Sequence, residues 1–259
     1  MTRTIVVTSG KGGVGKTTLV SNLGYALTEL GHSVILVDSN LTTPNLGLHL
    51  GMHLTSKTLH DVLKGSTKIK QAIYTHPFGF KVLPASLGIN ALSGVDPNKL
   101  RDITFSLIGQ ADFVILDCAA GLGRECLAAI DSSDEVLILT NPDLPSVVDA
   151  IKIKKISEDM KKNILGVVVN RRKWKWYELS KKEIEDLIGL NVIAEIPEDR
   201  SIHQSIASKK PLLDYDPSCQ ASYEIRRVAH YIAGKEFNYK EPLKLRFPFL
   251  EKIINWMIR

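Results

Sequence analysis

The chain predicts an α/β domain with a doubly wound, mostly parallel sheet, and three observations carry that prediction. Five short apolar runs, Ile5 to Val7, Ser33 to Asp38, Phe113 to Asp117, Val136 to Asn141 and Ile164 to Asn170, are continuous rather than alternating, as strands buried on both faces require. Helical periodicities near residues 17–30, 97–108, 143–160, 180–189 and 218–234 alternate with them, giving β-α-β order throughout. A glycine-rich loop joins the first run to the first helical stretch.

Taken in order, Ile5-Val6-Val7 leads into Gly10-Lys11-Gly12-Gly13-Val14-Gly15-Lys16-Thr17, which satisfies the phosphate-loop pattern G-x-x-x-x-G-K-[ST] between a strand and a helix. Glycines let backbone amides close around phosphate oxygens, and the helix N-terminus adds positive potential. Gly10 through Thr18 are therefore candidate nucleotide contacts, with Lys16 on the β/γ-phosphates and the Thr17 hydroxyl on Mg²⁺. Gly31 follows the first helix as its C′ residue, and Ser180 with Glu183 forms a capping box that opens a later one. Asp38 and Asp117 end hydrophobic strands; Asp117 has the Walker B arrangement, and both are candidate metal-side acids with Thr17. Asn141 and Asn170 end two further strands, so four polar residues converge where open parallel sheets bind ligands.

At 259 residues, 44% of them hydrophobic, the chain suits one large domain, read as 1–234, followed by a linker at 235–247 and a helix at 248–259. No stretch approaches the ~18 apolar residues of a membrane span, and the N-terminal run is too short for a signal peptide, so a cytoplasmic protein is expected. Cys118, Cys126 and Cys219 lack C-x-x-C spacing, which argues against a zinc or iron–sulfur site and for buried small side chains. The net charge of +5 is concentrated: residues 235–259 hold six basic side chains against three acidic ones.

Lys11, directly after the first glycine, adds a second lysine to the loop, and the resulting Lys-Gly-Gly-x-Gly-Lys-Thr resembles the deviant Walker A box of the MinD/ParA superfamily of P-loop ATPases. Other segments are similar to MinD-like members in particular. Asp117-Cys118-Ala119-Ala120-Gly121 resembles their switch II, Thr140-Asn141-Pro142-Asp143 their Thr-Asn-Pro-Glu, Asn170-Arg171 their adenine-contacting Asn-Arg, and Ile196-Pro197-Glu198-Asp199 their base-side loop. The likeness spans roughly residues 3–233. It implies ATP and Mg²⁺ as ligands, Lys11 reaching across an ATP-dependent homodimer, the Gly121 amide sensing the γ-phosphate, and Asn170, Arg171, Pro197, Glu198 and Asp199 around the base. It also implies a regulatory protein partner, whose identity the sequence does not give. Asn170 suits adenine by chemistry, since a carboxamide offers both a donor and an acceptor.

One position departs from that pattern. Where MinD and ParA relatives usually carry Asp-x-Asp in switch I, this chain has Asp38-Ser39-Asn40, and Asn40 cannot accept a proton. Phosphoryl transfer relies more on positioning than on a strong base, so Asn40 remains the candidate catalytic residue beside Lys11 and Lys16, orienting water through its amide oxygen. Slow hydrolysis is expected, the alternative being a site that holds ATP with little turnover.

In the tail, Phe249, Leu250, Ile253, Ile254 and Met257 fall on one face of a helix over 248–259, with Phe247 and Trp256 as aromatics and Lys244 and Arg246 upstream. This pattern suits an in-plane anchor, so residues 247–259 are the candidate contact to a membrane surface and peripheral association is expected; a helix packed on its own domain is the alternative. Arg171-Arg172-Lys173-Trp174-Lys175-Trp176 is a second basic, aromatic cluster, readable as a lipid, nucleic-acid or protein contact or as a solvated loop. It is the main support for the rival reading, a ParA-like ATPase that binds DNA without sequence preference.

Overall fold

The computed structural model describes residues 1–52 and 54–239. Eight strands form a single sheet: β1 (Arg3–Thr8), β2 (Val34–Asp38), β3 (Tyr74–Thr75), β4 (Lys81–Leu83), β5 (Phe113–Asp117), β6 (Glu135–Thr140), β7 (Asn163–Arg172) and β8 (Val192–Pro197). Their order is β3-β4-β2-β5-β1-β6-β7-β8, parallel throughout except for the β3–β4 pair at one edge. The α/β, doubly wound, mostly parallel architecture expected from the apolar runs is the observed one.

Alternation along each strand explains those continuous runs. Ile5 and Val7 join one apolar cluster, while Val6 between them joins the other; Leu36 and its neighbours Ile35 and Val37 divide in the same way. Both faces are covered, so the middle of each of these strands is buried and apolar. The first cluster packs under helices Lys16–Glu29 and Gln220–Ala233, the second under Leu100–Ser106, Arg124–Asp131, Leu144–Asp159 and Lys181–Ile188.

Local signals hold where the chemistry is local. Gly31 has φ of 87° after the helix C-cap Leu30, and Ser180 and Glu183 form the reciprocal capping box. Three expectations change. The 97–108 helix begins as a 3₁₀ turn, Pro97–Lys99, before Leu100–Ser106, because Asp96 caps Asn98 and Pro97 sets the first turn. The fifth run continues past Asn170 to Arg172, which pairs with Pro197 of β8, so Asn170 lies inside the strand rather than at its end. A new strand (β8), the short edge pair β3–β4 and helices such as Arg200–Ala207 add to the elements read from sequence.

Residues 235–239 carry no helix or strand and lie against helix Gln220–Ala233. His230 Nδ1 is 2.7 Å from the Glu236 carbonyl oxygen, and the rings of Phe237 and Tyr239 pack on His230. The rest of the linker expected at 235–247, the helix expected at 248–259 and the anchor surface 247–259 lie outside the described residues. Among the described residues no helix is long and apolar enough to cross a membrane.

The sheet presents its carboxyl edge to the functional loops, and helix Lys16–Glu29 fixes the first of them by burying Leu19, Leu23 and Leu27. Leu23→Ala is expected to cost about 2–5 kcal/mol, measured by denaturant unfolding, since the cavity opens where the surroundings cannot collapse.

Candidate nucleotide site

The loop from Gly10 to Thr17 is shaped by two close approaches. Gly15 has φ of 102°, and a Cβ there would stand 2.4 Å from Asn170 Nδ2; a Cβ on Gly10 would stand 2.4 Å from the Asp149 Cβ. Glycine is required at both for steric reasons as well as for wrapping phosphate. Lys16 is 8% exposed, and its ammonium donates to Ser9 Oγ at 2.8 Å, which donates in turn to the Lys11 carbonyl oxygen. A buried ammonium beside a ring of backbone amides is the phosphate-binding arrangement.

Beneath the loop, Asp38 and Asp117 are register partners at the ends of β2 and β5, and both are buried. Asp38 Oδ2 accepts the Leu46 amide at 3.1 Å, while Asp38 Oδ1 and both Asp117 oxygens are buried with no hydrogen-bond partner among the described residues. Burial and the neighbouring Asp117 hold the Asp38 carboxyl well above its usual range. Burial likewise raises Asp117 to about 6, against the pull of the Thr17 hydroxyl and the Lys16 ammonium. Such orphaned, oxygen-only donors fit Mg²⁺, a hard cation that takes one or two carboxylates alongside phosphate and water. Asp117, Asp38 and Thr17 would hold it, and it would neutralise charge on the phosphates.

The base-side cleft is lined by Gly15, Thr18, Asn170, Arg171, Glu198 and Asp199, with Ile202 and Ile206 behind them. Asn170 donates Nδ2 to the Val14 carbonyl oxygen at 2.6 Å, so its carboxamide oxygen would be the atom able to accept from a base's exocyclic amine. Asp199 caps helix Arg200–Ala207 by accepting from Ser201 N, and the Glu198 amide donates to the Arg172 carbonyl oxygen across the β7–β8 ends. Pro197 ends β8 beside them.

Three sequence-predicted residues are tied within the chain. Asn40 uses its whole carboxamide on Thr43: Nδ2 donates to the Thr43 carbonyl oxygen at 2.6 Å, and Oδ1 accepts from the Thr43 amide and hydroxyl. The Gly121 amide donates to the Ser9 carbonyl oxygen at 3.1 Å, which fastens switch II to the phosphate loop. Lys11 lies out from the loop, its side chain 49% exposed and its ammonium 3.7 Å from Asp143 Oδ1. Asn141 opens towards a neighbouring cleft with Asp143, Arg171 and Tyr177, so of the four residues expected at strand ends it stands apart.

Comparison with known proteins settles what this geometry belongs to. The family described as the CobQ/CobB/MinD/ParA nucleotide binding domain matches residues 5–212. The chain belongs to the MinD/ParA family of P-loop ATPases. An uncharacterised ATP-binding protein of Methanocaldococcus jannaschii is 35% identical over 96% of this chain and 94% of its own. The septum site-determining protein MinD of Pyrococcus horikoshii, solved with Mg-ADP, superposes with a TM-score of 0.87 at 35% identity, covering 90% of this chain and 96% of that one. MinD in a MinC:MinD complex of Aquifex aeolicus superposes at 0.81 with 30% identity, covering 93% and 99%. ATP and Mg²⁺ are the ligands of this MinD/ParA site, in keeping with the lysine-lined loop and the orphaned carboxylates.

Three features of this MinD/ParA site were not read from sequence. Glu125, in the first turn of helix Arg124–Asp131, accepts the Leu41 amide at 2.9 Å and the Thr42 amide at 3.3 Å, and also the Thr42 hydroxyl, so one carboxylate ties switch I to the segment after switch II. No motif marks it; only the tertiary approach of the two loops does. Buried His60 braces the same loop, with Nε2 3.1 Å from the Leu41 carbonyl oxygen and Nδ1 accepting from Ser86 N. The apolar wall of Ile202 and Ile206 had a usable signal, an Asp199 N-cap followed by isoleucines four residues apart.

Because Asp117 titrates near 6 when folded against 3.8 ordinarily, its charge opposes folding above that range, and the penalty fades as pH falls through about 6. In EDTA at pH 7.5, Asp117→Asn is expected to be more stable than the native protein, with the gap narrowing towards pH 4.5 in thermal or urea unfolding. A variant less stable at pH 7.5 would contradict this account of the acid pair.

Proposed function

We propose that this chain is a MinD-type switch: ATP joins two copies, the dimer associates with a membrane and acts on partner machinery, and slow hydrolysis releases it. One observation carries the reading. Lys11 extends away from its own phosphate loop and, among the described residues, its one ion pair is with the half-exposed Asp143 at 3.7 Å, a contact of little energetic weight. An exposed ammonium beside the triphosphate site, with its own loop already served by buried Lys16, is free to reach the nucleotide of a second copy. The family resemblance assigns that role to this lysine.

Slow turnover is supported by Asn40. It lacks a basic group, and its carboxamide must leave Thr43 before it can orient water. The amphipathic pattern of residues 247–259 supports membrane association, and two such helices on one dimer would bind through effective concentration far better than one. A regulatory protein is proposed by analogy with the MinC:MinD complex of Aquifex aeolicus.

Light scattering after chromatography tests the switch. With ATP or a non-hydrolysable analogue the native chain should double its mass and with ADP it should not, while Lys11→Ala should stay monomeric throughout. A monomer in every nucleotide state would leave only nucleotide binding. For hydrolysis, Asn40→Asp should release phosphate at least about tenfold faster than the native protein, because it regains a group able to accept a proton; native turnover equal to or above the variant's would refute that role.

A further inference from the structure

The segment that leaves the base-side cleft is built at a cost that the nucleotide site does not explain. After Arg171 the chain turns back through residues 173–179, and two residues that are not glycine, Arg171 and Trp174, sit at φ of 56° and 53°. Left-handed backbone at such residues persists only where surroundings enforce it. Here the enforcement is dense. The Glu178 carboxylate, 7% exposed, accepts the amides of Lys173 at 3.1 Å and Lys175 at 3.3 Å, and the Glu178 amide donates to the Lys175 carbonyl oxygen. Arg172, 6% exposed, pairs with Glu178 and with Glu195 at 2.9 Å and donates to the Leu179 carbonyl oxygen. The Leu179 amide reaches the Pro142 carbonyl oxygen, which pins the base of the turn to the loop after β6.

What this rigid turn presents is three aromatic rings in water. Trp176 is 94% exposed, Tyr177 63% and Trp174 56%, with Trp176 and Tyr177 edge to face at 5.7 Å. Arg171, Lys173 and Lys175 are exposed among them, and none of the three is in an ion pair among the described residues. The one acid within the turn, Glu178, is spent on its backbone. An indole with nearly all its surface in water lies on a projection, whereas platforms for single-stranded nucleic acid line a groove that tracks the backbone. Interleaved Trp, Tyr and Lys on a projection match the boundary between lipid headgroups and acyl chains, where amphipathic rings settle and cations meet anionic lipid.

We infer that the tip at residues 173–177 is a membrane contact that inserts Trp174, Trp176 and Tyr177 at the surface of an anionic bilayer. The inference rests on the proposed membrane association and adds to it a contact separate from residues 247–259. Arg171 borders the base cleft, so the tip is rooted beside it.

The chain's three tryptophans, Trp174, Trp176 and Trp256, allow the two contacts to be read apart. Full-length Trp256→Phe, whose indoles are then confined to the tip, is mixed in Mg²⁺ and ATP with vesicles of phosphatidylcholine alone or with phosphatidylglycerol. The expected result is a blue-shifted emission, quenched by brominated acyl chains, with the anionic vesicles only. Lys173→Gln with Lys175→Gln in that background should weaken partitioning about tenfold or more. A second full-length variant, Trp174→Phe with Trp176→Phe, reports the tail through Trp256. If the tail reporter shifts and the tip reporter does not, the tip inference is overturned while the proposed function stands. A shift of the tip alone supports the tip and removes the tail as the anchor. Silence of both overturns both, and tip emission quenched by oligothymidylate but indifferent to vesicles overturns the membrane assignment in favour of nucleic acid.

Discussion

Two carboxylates held side by side in the buried interior are the constraint around which this molecule is arranged. Asp38 and Asp117 occupy paired positions on neighbouring central strands, and three of their four oxygens have no hydrogen-bond partner among the described residues. Burying like charges without compensation is among the costliest things a fold can do. The sheet sustains it because β2, β5 and β1 are clad on both faces, and because the phosphate loop, directly above, brings Lys16 and Thr17 to the same point. The penalty is intelligible as preorganisation: a cation and a triphosphate find their donors already in place, so little has to be ordered on binding.

Around that centre, loops are joined to one another rather than left independent. The Gly121 amide ties switch II to Ser9, Glu125 ties the segment behind it to switch I, and Asn170 ties the base cleft to Val14 of the phosphate loop. A ligand that displaces any one of these bonds acts on its neighbours through hydrogen bonds a few ångströms long. Such links give a site of this kind a physical means of coupling base, phosphate and hydrolysis loops, and they explain why Gly15 admits no side chain: Asn170 occupies the space.

Much of this was legible in the residues, and the reason differs from place to place. Strands β1, β2, β5, β6 and β7 were visible because burial on both faces leaves no polar alternation. Strand β8 escaped because Glu195 interrupts it, and β3 and β4 because two or three residues make no pattern. The phosphate loop, Asp38 and Asp117 could be placed because strand ends and glycines mark them locally, and Asn170 because the apolar run of β7 leads into it, although the strand continues to Arg172. Glu125 could not, since its role exists only when two distant loops meet. Asn40 was identifiable as an unusual residue, yet its bonds to Thr43 follow from the turn it closes, and the left-handed backbone at Arg171 and Trp174 follows from the hold of Glu178 on the loop. Neither is written in composition or spacing.

The central claim, that the paired acids exist to seat a cation against the triphosphate, is met most directly by titrating ATP into the native protein and into Asp117→Asn, each with Mg²⁺ and with EDTA. The account predicts that Mg²⁺ tightens ATP binding to the native chain, and that the variant loses this gain while binding metal-free ATP no more weakly than the native protein does. Equal tightening by Mg²⁺ in both proteins would contradict it.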